Sequence, residues 1–206
     1  MAVPFIASIF YFLIFNGGIL AQGMYLSAKV FILVYPLFFI KRSDPIKDAF
    51  RFNPKEMLRG LAVGLIIFAA GYVFIRMPPM WQEIQKAEPF VKIKLEAFGI
   101  SAHYLIYAII ISLIHSMLEE YYWRWFVFGA SKSRLVSAFA FSLHHFVVLD
   151  FYFSRWMALI LTAMVAAGGL IFNFLYERKL NIWGAWSAHV LADLLIFYAG
   201  FLLLKE

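Results

Sequence analysis

Residues 102–124 read AHYLIYAIIISLIHSMLEEYYWR, an apolar run that ends on two adjacent carboxylates and an arginine. About 20 mostly apolar residues are enough for a helix to cross a bilayer. A charged side chain at membrane depth costs at least ~2.5–3.5 kcal/mol on insertion scales, so such residues usually face a protein interior or a wet cavity. The run therefore predicts a membrane-spanning helix with a buried polar site at its end.

The whole chain has the composition of a membrane protein. Its 206 residues are 64% hydrophobic and only 15% charged, whereas a soluble domain is about 45–50% apolar with about 25% charge. We expect a single all-α, polytopic membrane domain of about seven spans, with six to eight allowed and a shallow extra segment conceivable around 121–129. The predicted spans are 3–20, 24–40, 61–75, 102–118, 135–149, 156–176 and 182–204.

Two polar connections separate these spans. Residues 41–60 carry six basic side chains, and residues 76–100 mix charged and apolar positions, which suits an amphipathic interfacial helix or, equally, a solvated loop. The connections at 41–60, 119–135 and 176–180 hold 11 of the 18 Lys and Arg residues, and the other side holds 7. The positive-inside rule therefore predicts a cytoplasmic N-terminus.

Several classes of chemistry are excluded. The chain has no cysteine, so it has no disulfide, thiolate ligand or cysteine nucleophile. Its basic residues lie between apolar segments rather than in a patch with spaced aromatics, which argues against nucleic-acid binding. The patterns His-Glu-x-x-His, Gly-x-Gly-Asp and Gly-x-Ser-x-Gly of other proteases are all absent.

The first polar cluster is Glu119, Glu120 and Arg124. Glu120 and Arg124 stand four residues apart, the spacing of a helical ion pair. Glu119 points about 100° away and suits a general base that later returns its proton, with His115 one turn earlier as a partner or substitute ligand. The alternative is an interfacial cluster that ends a span, with its aromatic neighbours as a belt at the membrane surface.

Two further clusters lie in later spans. Phe141 and His145 share one helix face, so the phenyl ring should pack beneath the imidazole, while His144 is rotated away from that face. His189 and Asp193 are again one turn apart, where they can hydrogen-bond or both bind a metal. Each cluster alone suits a structural contact about as well as a functional one, and His103 suits an interfacial position.

Taken in order, Glu-Glu-x-x-x-Arg, Phe-x-x-x-His and His-x-x-x-Asp resemble the CPBP family of intramembrane proteases, which includes the Ras-converting CAAX-prenyl endopeptidases and the Abi proteins. The resemblance covers residues 101–200, and residues 1–100 carry no recognised motif. It implies that Glu119 and His145 activate a water and that His189 and the residue at 193 stabilise the oxyanion. It also implies supporting roles for Glu120, Arg124, Phe141 and His144.

The last position of the family pattern is Asn or Asp, and here it is Asp193. The side-chain amide of an Asn could donate a hydrogen bond to an oxyanion, whereas an ionised carboxylate only accepts. Asp193 must then be protonated, orient His189 or bind a metal. Glu119, His145, His189 and Asp193 are a mixed nitrogen and oxygen set suited to Zn²⁺, and a metal-free glutamate mechanism is an equal alternative.

The residues predict an enzyme that works inside the membrane, and the resemblance implies a membrane-embedded endopeptidase that acts on a membrane-associated peptide or protein, prenylated or small. The resemblance implies the bilayer as its surroundings and a prokaryotic inner membrane as its location. The alternative is a non-catalytic transporter or binding scaffold that uses the buried Glu, His and Asp residues for protons or ligands.

Overall fold

The computed structural model describes residues 2–9, 11, 18–42, 45–97, 99 and 101–205, and within these ranges it contains helices and no strands. Short 3₁₀ segments cover Tyr35–Arg42 and Ser101–His103, and a π-helical segment covers Tyr121–Phe128. The α-helices are α1 Ala2–Ile9, α2 Gly18–Val34, α3 Ile46–Phe50, α4 Pro54–Ile75, α5 Pro78–Ala97, α6 Tyr104–Glu120, α7 Gly129–Ser131, α8 Arg134–Tyr152, α9 Arg155–Glu177 and α10 Ile182–Lys205.

Six helical stretches of the described residues are long and apolar enough to cross a membrane, so the predicted all-α polytopic fold is confirmed. The predicted span 3–20 contains α1, but residues 10 and 12–17 lie outside the described residues. The six stretches are Gln22–Phe39, Pro54–Ile75, Tyr104–Ser131, Arg134–Tyr152, Arg155–Glu177 and Ile182–Lys205.

Helix α4 starts earlier than its apolar run predicts. The side chain of Asn53 accepts a hydrogen bond from the Glu56 backbone N–H at 3.3 Å, and Pro54 occupies the first helical turn. Both features favour a helix start, because the cap satisfies an orphan donor and proline has no N–H to lose. The short span predicted at 61–75 is therefore a full-length helix of 22 residues.

The connection at 76–100 is also helical. Helix α5 opens on Pro78 and runs to Ala97, so the alternative of a solvated loop is wrong for these residues. Met80, Ile84 and Ala87 are buried at helical spacing, and this apolar stripe holds α5 against the rest of the protein.

Helix α10 packs closely along α4. A Cβ atom at Gly60 would lie 2.0 Å from the carbonyl oxygen of Gly184, so only glycine fits there. Ser187 Oγ, one turn further along α10, donates to the Met57 carbonyl oxygen at 3.0 Å. Small residues let membrane helices approach closely, and hydroxyls then bridge the backbones. This contact fixes the position of α10, which carries His189 and Asp193.

The aromatic residues after Glu120 form the core of the molecule. Tyr122, Trp123 and Trp125 are completely buried, and Tyr121 is 7% exposed. An aromatic belt would place these rings at the membrane surface, so the belt interpretation and the shallow extra segment are both wrong. The segment is instead a buried π-helical continuation of α6.

Candidate active site

Glu119 and Glu120 lie at the carboxyl end of α6, where the helix passes into π geometry. Their side chains are 1% and 0% exposed. Single π turns inside α-helices are rare and occur frequently at functional sites. The two carboxylates are therefore presented to the protein interior from an unusual helix junction.

Hydrogen bonds from α8 and α9 hold this junction in place. Ser137 Oγ donates to the Trp123 carbonyl oxygen at 3.0 Å and lies 3.1 Å from Asn173 Oδ1. Asn173 Nδ2 in turn donates to the Arg134 carbonyl oxygen at 2.9 Å. These buried groups tie the π turn to two neighbouring helices, and a satisfied buried network rigidifies what it connects.

Glu120 joins two other helical segments. Its Oε2 lies 3.2 Å from Arg124 Nε, so the predicted ion pair is confirmed, and both side chains are completely buried. Its Oε1 accepts from His189 Nδ1 at 2.7 Å. The guanidinium of Arg124 also lies over the rings of Phe141 and Phe172, at 4.4 and 5.2 Å from the ring centroids. Glu120 thus orients His189 from one side of the site.

Glu119 faces four imidazoles. Its Oε1 lies 3.3 Å from His115 Nε2 and 3.4 Å from His144 Nε2. Its Oε2 lies 3.9 Å from both His145 Nε2 and His189 Nε2. Within the described part of the chain, neither oxygen makes a regular hydrogen bond, although both are buried. A buried carboxylate is costly without partners, so this arrangement indicates a place where water, a proton or a metal binds.

The Nδ1 atoms of His144 and His145 determine what these rings can do. Both lie beside the Phe141 carbonyl oxygen, at 2.9 and 2.8 Å. A carbonyl only accepts, so each neutral ring carries its hydrogen on Nδ1 and turns the Nε2 lone pair toward Glu119. The expectation that His144 is rotated away is therefore wrong: a carboxylate has two oxygens, and Glu119 reaches both rings.

Phe141 packs against His145 as predicted. The ring centroids are 4.5 Å apart at an interplanar angle of 62°. Phe141 is 3% exposed, and its ring also meets His189 at 5.7 Å in a T-shaped contact. Phe172 on α9 stacks on His189 at 5.0 Å. These rings restrict the imidazoles to their observed orientations.

Asp193 lies beside His189 as its spacing predicts. Its Oδ1 is 3.5 Å from His189 Nε2, and its Oδ2 is buried without a hydrogen-bond partner in the described part of the protein. Because Glu120 already occupies Nδ1, Asp193 faces the nitrogen that also points toward Glu119. A doubly protonated His189 would donate to a carboxylate on each side.

One group of side chains could hold a metal ion. Ligand atoms of Glu119, His144 and His145 lie within 4.8 Å of one another in the described structure. Metal-binding histidines donate one ring N–H to an acceptor and bind the metal through the other ring nitrogen. His144 and His145 have this arrangement, because Nδ1–H is held by a backbone carbonyl and the Nε2 lone pair is available. The residues therefore fit a Zn²⁺ ion, with His144 in the group where the sequence predicts His189 and Asp193.

Sequence reasoning missed one polar residue at this site. Lys29 on α2, which charge counting assigned to a connection, lies with its Nζ 2.9 Å from His115 Nδ1. The available indication was a lone lysine inside an apolar run. A cavity of about 240 Å³ lies here, between α1, α2, α6 and α8, and is lined by apolar side chains together with Ser8, Tyr11, Lys29, His115, His144 and His145.

Comparison with protein families agrees with this geometry. A family model described as type II CAAX prenyl endopeptidase Rce1-like matches residues 101–195, the segment that contains all three polar clusters. The chain matches no curated protein and no solved structure.

Proposed function

We propose that this chain, whose residues 101–195 match the type II CAAX prenyl endopeptidase Rce1-like family model, is an intramembrane endopeptidase that hydrolyses a peptide bond of a membrane-associated substrate with Glu119 as the general base. The observation that carries this proposal is the buried Glu119 carboxylate, which faces four imidazoles. A positioned carboxylate contributes about 10²–10⁴-fold to such a reaction by moving protons.

We assign the proton-accepting role to Glu119 Oε2. The 3.9 Å between Oε2 and His145 Nε2 is too long for a direct hydrogen bond. One water between two such acceptors can donate one hydrogen to each. Loss of a proton to Oε2 makes that water a nucleophile toward the substrate carbonyl, and Glu119 then returns the proton to the leaving amine.

We propose that His189 stabilises the oxyanion. Its Nδ1–H is held by Glu120 at 2.7 Å, so a protonated ring has its Nε2–H available on the side of the reacting water. Donors aimed at developing negative charge are worth about 2.7–4 kcal/mol each. Oδ1 of Asp193 lies 3.5 Å from the same Nε2, so we assign Asp193 an orienting role, which removes the need for it to donate.

Glu119, His144 and His145 would hold a zinc ion in a metal-dependent form of this reaction. A metal bound there supplies Lewis-acid activation of the water or of the substrate carbonyl. The roles proposed for Glu120, His189 and Asp193 are the same in both forms, because none of these residues belongs to the metal-binding group.

The substrate that we propose is a membrane-anchored peptide or protein, with a prenylated carboxyl-terminal segment as the first candidate and a small membrane peptide as the second. The proposed location is a prokaryotic inner membrane with the N-terminus in the cytoplasm. Arg124 is buried and Lys29 lines the cavity, so neither counts as a charge in a connection between spans. Without them, ten basic residues lie on the side proposed to be cytoplasmic and six lie on the other side.

The test is proteolysis of matched quenched peptides, with and without a prenyl group, by the protein in liposomes. Wild type is compared with Glu119→Gln and His145→Ala, each with and without a chelator. Glu88→Gln is the matched control, because that carboxylate lies on α5 with 35% of its side chain exposed. We expect both site variants to lose at least about 10²-fold of the activity and the control to keep it.

The chelator arm decides between the two forms of the reaction. Equal activity of Glu119→Gln and wild type would overturn the assignment of the base. A folded wild type that cleaves none of the peptides but binds them would favour the non-catalytic scaffold.

A further inference from the structure

Lys29, which lies outside the family-matched segment, is connected to Glu119 through His115. Lys29 lies on α2, and its Nζ is 2.9 Å from His115 Nδ1. His115 on α6 places its Nε2 3.3 Å from Glu119 Oε1.

The contacts of His115 with Lys29 and Glu119 determine which of its ring nitrogens carries the hydrogen. An ammonium group only donates, so it requires an unprotonated Nδ1 and places the ring hydrogen of neutral His115 on Nε2. Nε2 lies 3.3 Å from Glu119 Oε1, a carboxylate oxygen that only accepts, so a hydrogen on this nitrogen suits its neighbour. His115 is thus the Nε2–H tautomer, whereas His144 and His145 are Nδ1–H tautomers that donate to the Phe141 carbonyl oxygen.

The two oxygens of Glu119 therefore have different neighbours. Oε1 lies between Nε2 of His115 at 3.3 Å and Nε2 of His144 at 3.4 Å, whereas Oε2 lies 3.9 Å from His145 and His189. If His115 carried its hydrogen on Nδ1, Oε1 would meet two Nε2 lone pairs and no N–H, and nothing would hold the carboxylate with Oε2 toward the water position. The orientation of the general base therefore depends on the tautomer of His115.

We propose that Lys29 is a positioning residue of the active site, which sets the tautomer of His115 and through it holds the Glu119 carboxylate with Oε2 toward the water. The catalytic part of this inference rests on the proposed function, whereas the tautomer itself does not. The N-terminal helix α2 thereby contributes a residue to a site whose histidines and carboxylates come from residues 101–195.

The first experiment reads the tautomer directly and needs no substrate. Protein labelled with ¹⁵N-histidine is studied by NMR in micelles, and the signals of His115, one of five histidines, are identified by their loss in His115→Gln. We expect an Nε2–H tautomer in wild type and in Lys29→Arg, and an Nδ1–H or mixed state in Lys29→Met. Lys92→Met is the control, because that lysine pairs with Glu88 on the exposed face of α5.

An unchanged Nε2–H tautomer of His115 in Lys29→Met would overturn the proposal, whether or not the protein is a protease. Retention of the His144 and His145 signals in the same spectrum shows that the variant is folded. Failure of the proposed protease function would instead appear only as absent cleavage, with this tautomer result unaffected.

The second experiment is a double-mutant cycle on peptide cleavage. Partners that orient a functional group typically contribute about 10–100-fold to activity, so we expect Lys29→Met to lower kcat by about 10-fold and to leave KM unchanged. We expect Lys29→Met to add nothing in a His115→Phe background, because its effect passes through His115. An additive loss, or a raised KM with unchanged kcat, would mean that Lys29 contacts the substrate in the cavity and would overturn the positioning role.

Discussion

The role of each of these histidines depends on what contacts its Nδ1 atom, the ring nitrogen that faces away from Glu119. His144 and His145 have the same chemistry as His115, but their Nδ1 atoms meet a carbonyl oxygen and that of His115 meets an ammonium group. One kind of contact turns a lone pair toward Glu119 and the other turns a hydrogen toward it. Four imidazoles around one carboxylate are thus not four copies of one function.

The buried pair of Glu120 and Arg124 leads to a prediction about stability. Glu120→Gln leaves the completely buried Arg124 without its counter-charge, and breaking a buried pair from one side costs about 3–5 kcal/mol. We expect a lower Tm for Glu120→Gln in detergent and a partial recovery in Glu120→Gln/Arg124→Met, which removes both charges. Intrinsic tryptophan fluorescence measures the transition.

A double variant less stable than Glu120→Gln alone would contradict this prediction. It would mean that the cation–π contacts of Arg124 with Phe141 and Phe172 outweigh its charge pair. The matched control for the lost charge is again Glu88→Gln, whose carboxylate is 35% exposed and should change the Tm little.

At the scale of elements, glycine and the π turn decide where the polar residues meet. Helix α10 carries His189 and Asp193, and its position depends on the close approach at Gly60. Helix α6 carries the carboxylates, and the π turn after Glu120 buries the aromatic residues that follow it. Changes at either place are therefore expected to act on the site from a distance.

Gly60→Ala should destabilise the protein. The new Cβ would lie 2.0 Å from the Gly184 carbonyl oxygen, and overpacking of this kind typically costs about 1–3 kcal/mol. Gly168→Ala on α9 is the matched control, because no atom lies within 4 Å of its Cβ position and alanine is the better helix former by about 1 kcal/mol. Thermal unfolding of both variants in the same detergent measures the difference, and equal Tm values would refute the packing argument.

At the scale of the whole molecule, apolar side chains face outward along the long helices. Ile66 is 70% exposed and Trp156 is 80% exposed, in helices that qualify as membrane spans. Such residues are covered by lipid hydrocarbon in a membrane protein. The polar groups of the candidate site lie inside, and apolar side chains cover the outer faces of these helices, which inverts the pattern of a soluble domain.

The proposed orientation predicts which connections a membrane-impermeant thiol reagent reaches. The chain has no cysteine, so single cysteines can be introduced without a background. Lys179→Cys, between α9 and α10, should react only after the cells are permeabilised, and Met77→Cys, between α4 and α5, should react in intact cells. Both positions are exposed, and the reverse labelling pattern would overturn a cytoplasmic N-terminus.

The sequence by itself determined the membrane class, the all-α fold and most of the spans, because these follow from local hydrophobicity and length. It also predicted the Glu120–Arg124 pair and the contact of Phe141 with His145, since spacing on one helix is a local property. The roles predicted for Glu119, His145, His189 and Asp193 remain predictions, although the fold brings the four residues to one place.

Only the tertiary structure decided which helices share the site and how each imidazole is oriented. Helical spacing alone turned His144 away from the helix face of His145 and left Lys29 among the connection charges, and the packing of α2, α6 and α8 brings both to the site. It also buried the aromatic run after Glu120, which hydrophobicity alone allowed at the membrane surface. Contacts between helices depend on long-range packing that no local pattern records, so the hydrogen-bond partner of each ring nitrogen could not be read from spacing.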